Sequence, residues 1–229
     1  MQDNKLSARL LWIADRVRKN IKLYDVGTDH AKLPAYLLEK NIITSSVASD
    51  IHQGPLDKAQ IFVNMCGYKD CIRLVKADGL IGIDILPPCD ISICGMGGET
   101  IVNILSAAEK VRDKNVRLLL QPMTDFARLR TFLSENGFAI VDEDIVFSDD
   151  REYQCIVAEY TGNAYELSAV EKELGKLCIS KRGKIFLQYV ERKIKTLEVC
   201  INGKKKASID VSFEVALYEE YRRILEEKQ

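Results

Sequence analysis

Carboxylates follow three successive β-like runs in the first third of the chain. Asp25 lies near the end of the first run and Gly27 follows it, Asp50 follows the second, and Asp78 with Gly79 follows the third. The carboxyl ends of parallel strands form the ligand-binding edge of an open α/β sheet, where an acidic residue can accept hydrogen bonds from ribose hydroxyls. A single loop Asp is more often a turn residue. Three at successive strand ends predict a site for a nucleoside-containing ligand.

A glycine-rich turn follows the fourth β-like run. Gly95, Met96, Gly97 and Gly98 come directly before a helix that we expect to begin near Glu99. Bare backbone amides at such a turn can hold a ligand or an anion. A tight turn that needs glycine's conformational freedom explains an isolated run equally well.

The loop after the first run lacks the glycine pattern of a nicotinamide oxidoreductase. Such enzymes carry Gly-x-Gly-x-x-Gly, whereas this chain has Asp25, Gly27, Asp29 and Ala31 at alternate positions. The Asp29 carboxylate would repel a pyrophosphate, but it suits a sulfonium cofactor without phosphate. The loop therefore favours a methyltransferase over a dehydrogenase.

The elements that position these residues read as an α/β fold. β-like runs lie at residues 23–26, 45–48, 72–75, 91–94, 116–120, 139–147 and 154–160, and clear helical patterns cover 6–17, 55–66 and 125–136. Strands joined by crossover helices imply a mainly parallel sheet covered on both faces. The short polar link between the last two runs implies an antiparallel hairpin. We expect a Rossmann-like, seven-stranded, mostly parallel sheet with that hairpin at one edge.

Beyond Gly162 the β pattern ends and helical stripes follow, at residues 167–177, 186–201 and 211–225. Asn202 and Gly203, with the lysines after them, predict the turn of an antiparallel helical hairpin. We therefore divide the chain into a catalytic domain at residues 1–162 and a small, coiled-coil-like, all-helical domain at residues 163–229.

Composition excludes several classes of protein. A hydrophobic fraction of 47% and a charged fraction of 29% are those of an ordinary soluble domain. Seven scattered cysteines without a CxxC pair, and only two histidines, predict no metal site and no disulfide framework. The amino terminus resembles neither a signal sequence nor a membrane span. We expect a cytoplasmic monomer or weak dimer.

Charge is distributed unevenly along the chain. The formal net charge is −1, yet residues 172–206 hold eleven Lys or Arg and three Glu. A partner that carries phosphate could bind there. The alternative is that these lysines merely keep a helical hairpin soluble.

Five sequence blocks occur in a consistent order between residues 6 and 160: DVGTDHAKLP, ASDI with GPL, ADGL, ICGMGGETI and LLLQPM. Together they closely resemble the bacterial tRNA (adenine22-N1)-methyltransferase family, and the TDHAxLP and GMGGxxI blocks are its specific features. The resemblance implies a class I methyltransferase domain, S-adenosylmethionine as cofactor, and an N1-methyladenosine product in the D-arm region of tRNA.

The resemblance also implies which residues bind the cofactor. These are Asp25, Gly27, Asp29 and His30 at its methionine part, Asp50 and Ile51 at the ribose, Asp78, Gly79 and Leu80 at the adenine, and Gly95, Met96 and Gly97 next to the target base. The candidate catalytic residues are Asp29, Asp90, Gly95 and Met96. A carboxylate there could stabilise positive charge on the base or accept a proton from its amine.

The contacts predicted for RNA comprise part of the glycine-rich turn and a set of basic side chains. They are Gly97, Gly98, Arg128, Arg130, Lys181, Arg182, Lys184, Lys204 and Lys205. For Arg128 and Arg130 a solvated helix face is the alternative.

One departure from the wider methyltransferase class bears on the substrate. Many amine-directed enzymes carry (Asp/Asn)-Pro-Pro-aromatic after the fourth strand, whereas this chain has Gly-Met-Gly-Gly there and Pro87 with Pro88 before the strand. The difference disfavours an exocyclic amine and is compatible with a ring nitrogen. Two alternatives stay open: a small-molecule methyltransferase, and a catalytically idle nucleotide-binding or RNA-binding protein.

Overall fold

Alternating runs of buried apolar residues form a single seven-stranded sheet. The computed structural model describes residues 5–227. Its strands are β1 (Ile21–Val26), β2 (Ile43–Asp50), β3 (Ile72–Lys76), β4 (Cys89–Met96), β5 (Val116–Pro122), β6 (Phe138–Ser148) and β7 (Arg151–Tyr160). Their spatial order is β3-β2-β1-β4-β5-β7-β6. All seven predicted strands are confirmed, and each observed strand includes its predicted run.

Strand direction follows from the connections. The neighbours among β1 to β5 pair in parallel. Helices connect β1 to β2, β2 to β3 and β4 to β5, whereas residues 77–88 connect β3 to β4 without a helix. Strand β7 pairs antiparallel with both β5 and β6. The tight turn between β6 and β7 contains Asp149 and Asp150, both at positive φ. The predicted antiparallel edge hairpin is therefore confirmed.

Helices cover both faces of the sheet. They are α1 (Ala8–Ala14), α2 (Lys32–Glu39), α3 (Gln53–Cys66), α4 (Gly98–Ala107) and α5 (Phe126–Glu135), with a short 3-10 turn at Glu109–Arg112. Helices α4 and α5 bury Ile101, Leu105 and Leu129 against one face. Helices α1 and α2 bury Ile13 and Leu37 against the other. All seven cysteines are free thiols, and each is at least partly buried.

Four helices follow the sheet: α6 (Ala169–Leu174), α7 (Lys176–Lys181), α8 (Lys184–Lys206) and α9 (Ser212–Glu226). Helices α8 and α9 run antiparallel, since Lys204 pairs with Glu214 while Glu198 accepts a hydrogen bond from Tyr218. This confirms the helical hairpin. Within residues 5–227, no helix is both long enough and apolar enough to cross a membrane.

Two details of this helical unit correct the sequence prediction. Asn202 and Gly203 lie inside α8, and the turn falls at residues 207–211. The helix continues through Gly203 because Ile201 is buried and the Lys204–Glu214 pair holds the last turn against α9. The stripe at 167–177 forms two short helices rather than one. They break at Gly175, at φ 88°, where a Cβ would lie only 2.5 Å from the Glu143 carboxylate.

A buried ion pair attaches the helical unit to the sheet. Arg130 of α5 binds Glu143 of β6 at 2.9 Å, and both side chains are almost fully buried. Arg130 also donates to the carbonyl of Lys172, and Glu143 accepts the backbone N–H of Leu177. The predicted boundary at residues 162 and 163 falls after β7. Residues 1–4 and 228–229 of the two predicted domains lie outside the described range.

Candidate functional site

The chain reverses its order in the sheet between β1 and β4, and an open α/β sheet forms a crevice at such a point. Strands β1 and β4 are neighbours, but α2 leads from β1 towards one edge and α4 leads from β4 towards the other. Ligands bind at such a switch point in open α/β sheets. The two loops touch there: Gly27 has φ 72°, and a Cβ on it would overlap with the Met96 methyl group. A side chain at position 27 would have to displace the Met96 methyl group and would be strained at this φ.

Asp25 lies at the base of this crevice, at the end of β1. Its Oδ2 accepts a hydrogen bond from the Thr28 hydroxyl at 2.6 Å, and its Oδ1 accepts one from the Ser92 hydroxyl at 2.7 Å. Burial raises the pKa of Asp25, and the two hydroxyl bonds partly oppose that rise. Each carboxylate oxygen keeps a further lone pair for a cationic group. Thr28 and Ser92 were not among the predicted site residues, although Thr28 begins the TDHAxLP block, because the sequence does not show that their hydroxyl groups meet at Asp25.

The other two carboxylates lie along the same edge. Asp50 ends β2, and its Oδ1 accepts the backbone N–H of His52 at 2.7 Å. Within residues 5–227 its second oxygen has no hydrogen-bond partner, so it is available to a ligand. Asp78 is exposed in the turn after β3. The adjacent Gly79, at φ 59°, lies against Ile104, where a Cβ would stand 2.8 Å from that side chain.

The remaining predicted cofactor residues differ in exposure. Ile51 is half exposed at the edge of the sheet. Leu80 is buried in the core, so only its backbone could reach a ligand. Asp29 is 82% exposed and lies 3.4 Å from His30 Nε2. His30 and Ala31 both have positive φ, which is uncommon for residues with a side chain and gives the loop a fixed, strained path before α2.

The glycine-rich turn divides into an exposed half and a buried half. Gly95 is exposed at φ 79°, beside an irregularity in the pairing of β4 with β5. Gly97 caps α4. Gly98 is buried, donates its N–H to the Thr124 carbonyl, and has no room for a Cβ beside the Asp125 carbonyl. The prediction that Gly98 contacts RNA is therefore wrong: it is a glycine because two loops meet there.

Asp90 is not a catalytic residue. It is the second residue of β4, so it lies near the amino ends of the strands, across the sheet from the crevice. Its side chain is fully buried and accepts hydrogen bonds from the Arg18 backbone N–H at 2.8 Å and the Arg18 guanidinium at 2.7 Å. Sequence proximity to the glycine-rich turn misplaced it by the length of a strand.

Several predicted RNA contacts are occupied by protein. Arg130 is wrong as an RNA contact, because it is buried against Glu143. Arg182 is 15% exposed and binds Glu227, so little of its side chain is accessible to RNA. Lys181 pairs with Asp142. Lys204 pairs with Glu214 across the helical hairpin.

Three basic residues of the predicted RNA set remain more accessible. Arg128 pairs with Glu99 at 3.1 Å, but both side chains are 57% exposed. Lys184 and Lys205 are exposed and have no carboxylate within 4.0 Å among residues 5–227. These two lie at opposite ends of α8.

A further cation lies at the crevice. Arg9 of α1 donates from Nη1 to Gln121 Oε1 at 2.6 Å, and its Cζ lies 5.4 Å from the centre of the Tyr153 ring. The same Nη1 would stand 3.9 Å from a Cβ at Gly95. Nothing in the helical pattern of residues 6–17 singles out Arg9, because an arginine on an amphipathic helix reads as solvent-facing.

Within the described residues, no group of three or more His, Cys, Asp or Glu side chains could hold a metal ion.

Comparisons with known proteins agree with this architecture. A family model described as a methyltransferase domain matches residues 6–156. The curated tRNA (adenine(22)-N(1))-methyltransferase of Bacillus subtilis (strain 168) is 33% identical over 159 residues, which are 69% of this chain and 67% of that protein.

Two solved structures resemble nearly the whole chain. One is a Streptococcus pneumoniae protein, described as a candidate tRNA (m1A22) methyltransferase and solved in complex with S-adenosyl-L-methionine. It is 30% identical, with a TM-score of 0.86 over 96% of this chain and 100% of that one. The other, from M. capricolum, contains S-adenosyl-homocysteine. It is 28% identical, with a TM-score of 0.77 over 96% of this chain and 94% of that one.

Proposed function

We propose, since this chain belongs to the bacterial tRNA (adenine22-N1)-methyltransferase family, that it methylates N1 of adenine 22 in the D-arm region of tRNA with S-adenosylmethionine as donor. The observation that carries the proposal is the crevice between β1 and β4. There the bare backbone of Gly27 faces Met96, and carboxylates lie along the floor and the edge. Relatives of the same fold bind this cofactor or its product in crystals.

The residues of the crevice fit the cofactor. Gly27 has no side chain, so only the Met96 methyl group stands against its backbone, and that group is the far end of a flexible side chain. The buried Asp25 carboxylate can attract the cationic amine of the methionine part. The second oxygen of Asp50 can accept a hydrogen bond from a ribose hydroxyl. Gly95 and Gly97 would keep the way open between cofactor and target base. Asp78, Gly79 and the Leu80 backbone would border the adenine of the cofactor.

S-adenosylmethionine would supply an electrophilic sulfonium methyl group, which adenine N1 can accept through its in-plane lone pair without a strong general base. The protein's own contribution is to position the base and exclude water. Exposed Asp29, two residues after Gly27, is the carboxylate we propose to stabilise positive charge on the methylated base. N1 lies on the Watson–Crick edge, so the target must leave its stack to reach Gly95.

We propose that the helical unit at residues 163–229 contacts the tRNA backbone and that residues 1–162 form the catalytic domain. Lys184 and Lys205 support this role, because they are exposed cations without a carboxylate partner in the described part of the chain. Arg128 at the start of α5 is a third contact. A tRNA substrate fits the expected cytoplasmic location, and we keep a monomer or weak dimer as the expected state.

The proposal is tested by incubating the protein and S-adenosylmethionine with tRNA from cells that lack the modification, followed by nucleoside mass spectrometry. We expect N1-methyladenosine, and none when adenine 22 is replaced by guanine. Methylation of free adenosine instead would favour a small-molecule enzyme. Calorimetry that shows no cofactor binding would favour an idle binding protein.

A further inference from the structure

We propose that Arg9 binds a backbone phosphate next to the target nucleotide, and that Gln121 and Tyr153 hold its guanidinium in position to do so. This inference rests on the proposed function, since it assigns a specific contact to the same RNA substrate. It adds a residue from α1, outside the glycine-rich turn and outside the helical unit.

The position of Arg9 is fixed by neighbours that bear no charge. The side chain of Gln121 is fully buried, and its amide donates to the Pro122 carbonyl, so its Oε1 is turned towards Arg9. The Tyr153 ring, on the neighbouring hairpin, lies 5.4 Å from the guanidinium carbon. An arginine held in this way has little conformational freedom left to lose on binding, which favours a specific contact.

The charge of Arg9 has no counter-ion in the described part of the chain. Within residues 5–227 no carboxylate lies within 4.0 Å of its guanidinium, whereas two arginines that follow α1 are paired: Arg16 with Asp142 and Arg18 with Asp90. A partly buried cation that only neutral groups contact is unfavourable unless an anion completes the site. Arg9 therefore marks a place for negative charge beside Gly95.

Phosphate is the anion that the proposed reaction brings to this place. The cofactor has no phosphate, and the target adenine is neutral before transfer and cationic afterwards. A guanidinium against the base itself would oppose that charge, so the sugar-phosphate backbone is the fitting ligand. A planar guanidinium can hold a phosphate through two parallel hydrogen bonds, and Gln121 occupies only one nitrogen of Arg9.

The test compares Arg9→Ala and Arg9→Lys with Arg73→Ala, which removes an equal charge from an exposed position near the amino end of β3. Binding of unmodified tRNA is measured across a salt series, with kcat, KM, cofactor affinity and the unfolding temperature. For Arg9→Ala we expect tRNA affinity to fall about tenfold, because a charge-assisted hydrogen bond is lost. The magnitude of the slope of log affinity against log salt concentration should fall by about one, as expected for the loss of one phosphate contact.

In Arg9→Ala, KM should rise more than kcat falls, while cofactor affinity stays at the wild-type value. Arg9→Lys should restore the salt slope but only part of the affinity. Arg73→Ala should match the wild type. An unchanged KM and salt slope in Arg9→Ala would overturn this inference but leave the proposed function standing. So would a purely structural outcome, in which the unfolding temperature drops with no change in slope. A wild-type protein that neither binds nor methylates tRNA would overturn the proposed function as well.

Discussion

Two properties of Asp25 bear on ligand binding. Its side chain is buried, and two hydroxyl groups orient its carboxylate. Burial raises its pKa above the ordinary value for a carboxyl group. As the pH falls through that raised pKa, Asp25 takes up a proton and can no longer attract a cationic ligand. We predict that cofactor affinity, measured by calorimetry, falls with decreasing pH in that range. Asp25→Asn should weaken binding at neutral pH by about tenfold and abolish this pH dependence.

The stability of the ligand-free protein changes with pH in the direction opposite to that of cofactor affinity. Because the folded pKa of Asp25 lies above the unfolded one, folding is favoured less as the pH rises through this range. Asp25→Asn should therefore leave the unfolding temperature unchanged or higher, so lost binding is not lost structure. Asp70→Asn, which removes an exposed carboxylate before β3, serves as the control. Wild-type affinity of Asp25→Asn at every pH would remove Asp25 from the site.

At the scale of elements, the crevice depends on the close approach of the start of α4 to the start of α5. Gly98 starts α4 in contact with the carbonyls of Thr124 and Asp125, just before α5. A methyl group there has no space, because its neighbours are backbone atoms. We predict that Gly98→Ala lowers the free energy of unfolding in urea by about 1–3 kcal/mol, as overpacking does.

Gly54→Ala is the matched control for this prediction. Gly54 lies in the first turn of α3, and nothing lies within 4 Å of where its Cβ would be. Its substitution should raise the free energy of unfolding by about 0.4–1 kcal/mol, because the unfolded chain loses freedom. Equal effects of the two substitutions would show that close packing of α4 on α5 does not limit position 98.

At the scale of the whole molecule, the buried Arg130–Glu143 pair joins the sheet to the helical unit. The exposed lysines of α8 are thus held at a fixed place relative to the crevice. Lys184 and Lys205 lie roughly 30 Å apart along the helix, so a single ligand that contacts both must be large. We predict that Lys184→Glu with Lys205→Glu lowers tRNA affinity by about tenfold or more. The magnitude of the slope of log affinity against log salt concentration should fall by about two, as expected for the loss of two phosphate contacts.

The control is Lys58→Glu with Lys69→Glu, an equal change of charge at exposed positions on α3 and just after it. If both double variants lose the same affinity, net charge alone explains the effect and the helical unit has no special part in binding. Affinity for the cofactor should be unchanged in both, because none of these lysines lies at the crevice.

Sequence periodicity alone determined the strands, the covered parallel sheet and the antiparallel hairpin, because each depends on local alternation of apolar residues and on short turns. It also placed Asp25, Gly27, Asp50 and Gly95 at one edge, since parallel strands end on the same side. Whether a polar residue faces that edge depends on its distance along the strand. Asp90, at the start of β4, therefore misled the prediction.

Only the tertiary structure decided which charges are free. Arg128 and Arg130 are two residues apart on one helix, yet Arg128 is exposed and Arg130 is buried against Glu143, thirteen residues further along the chain. Arg9 reaches the crevice from α1 through Gln121, which is 112 residues away in sequence. Pairing of this kind depends on long-range packing, and local residue patterns carry no record of it.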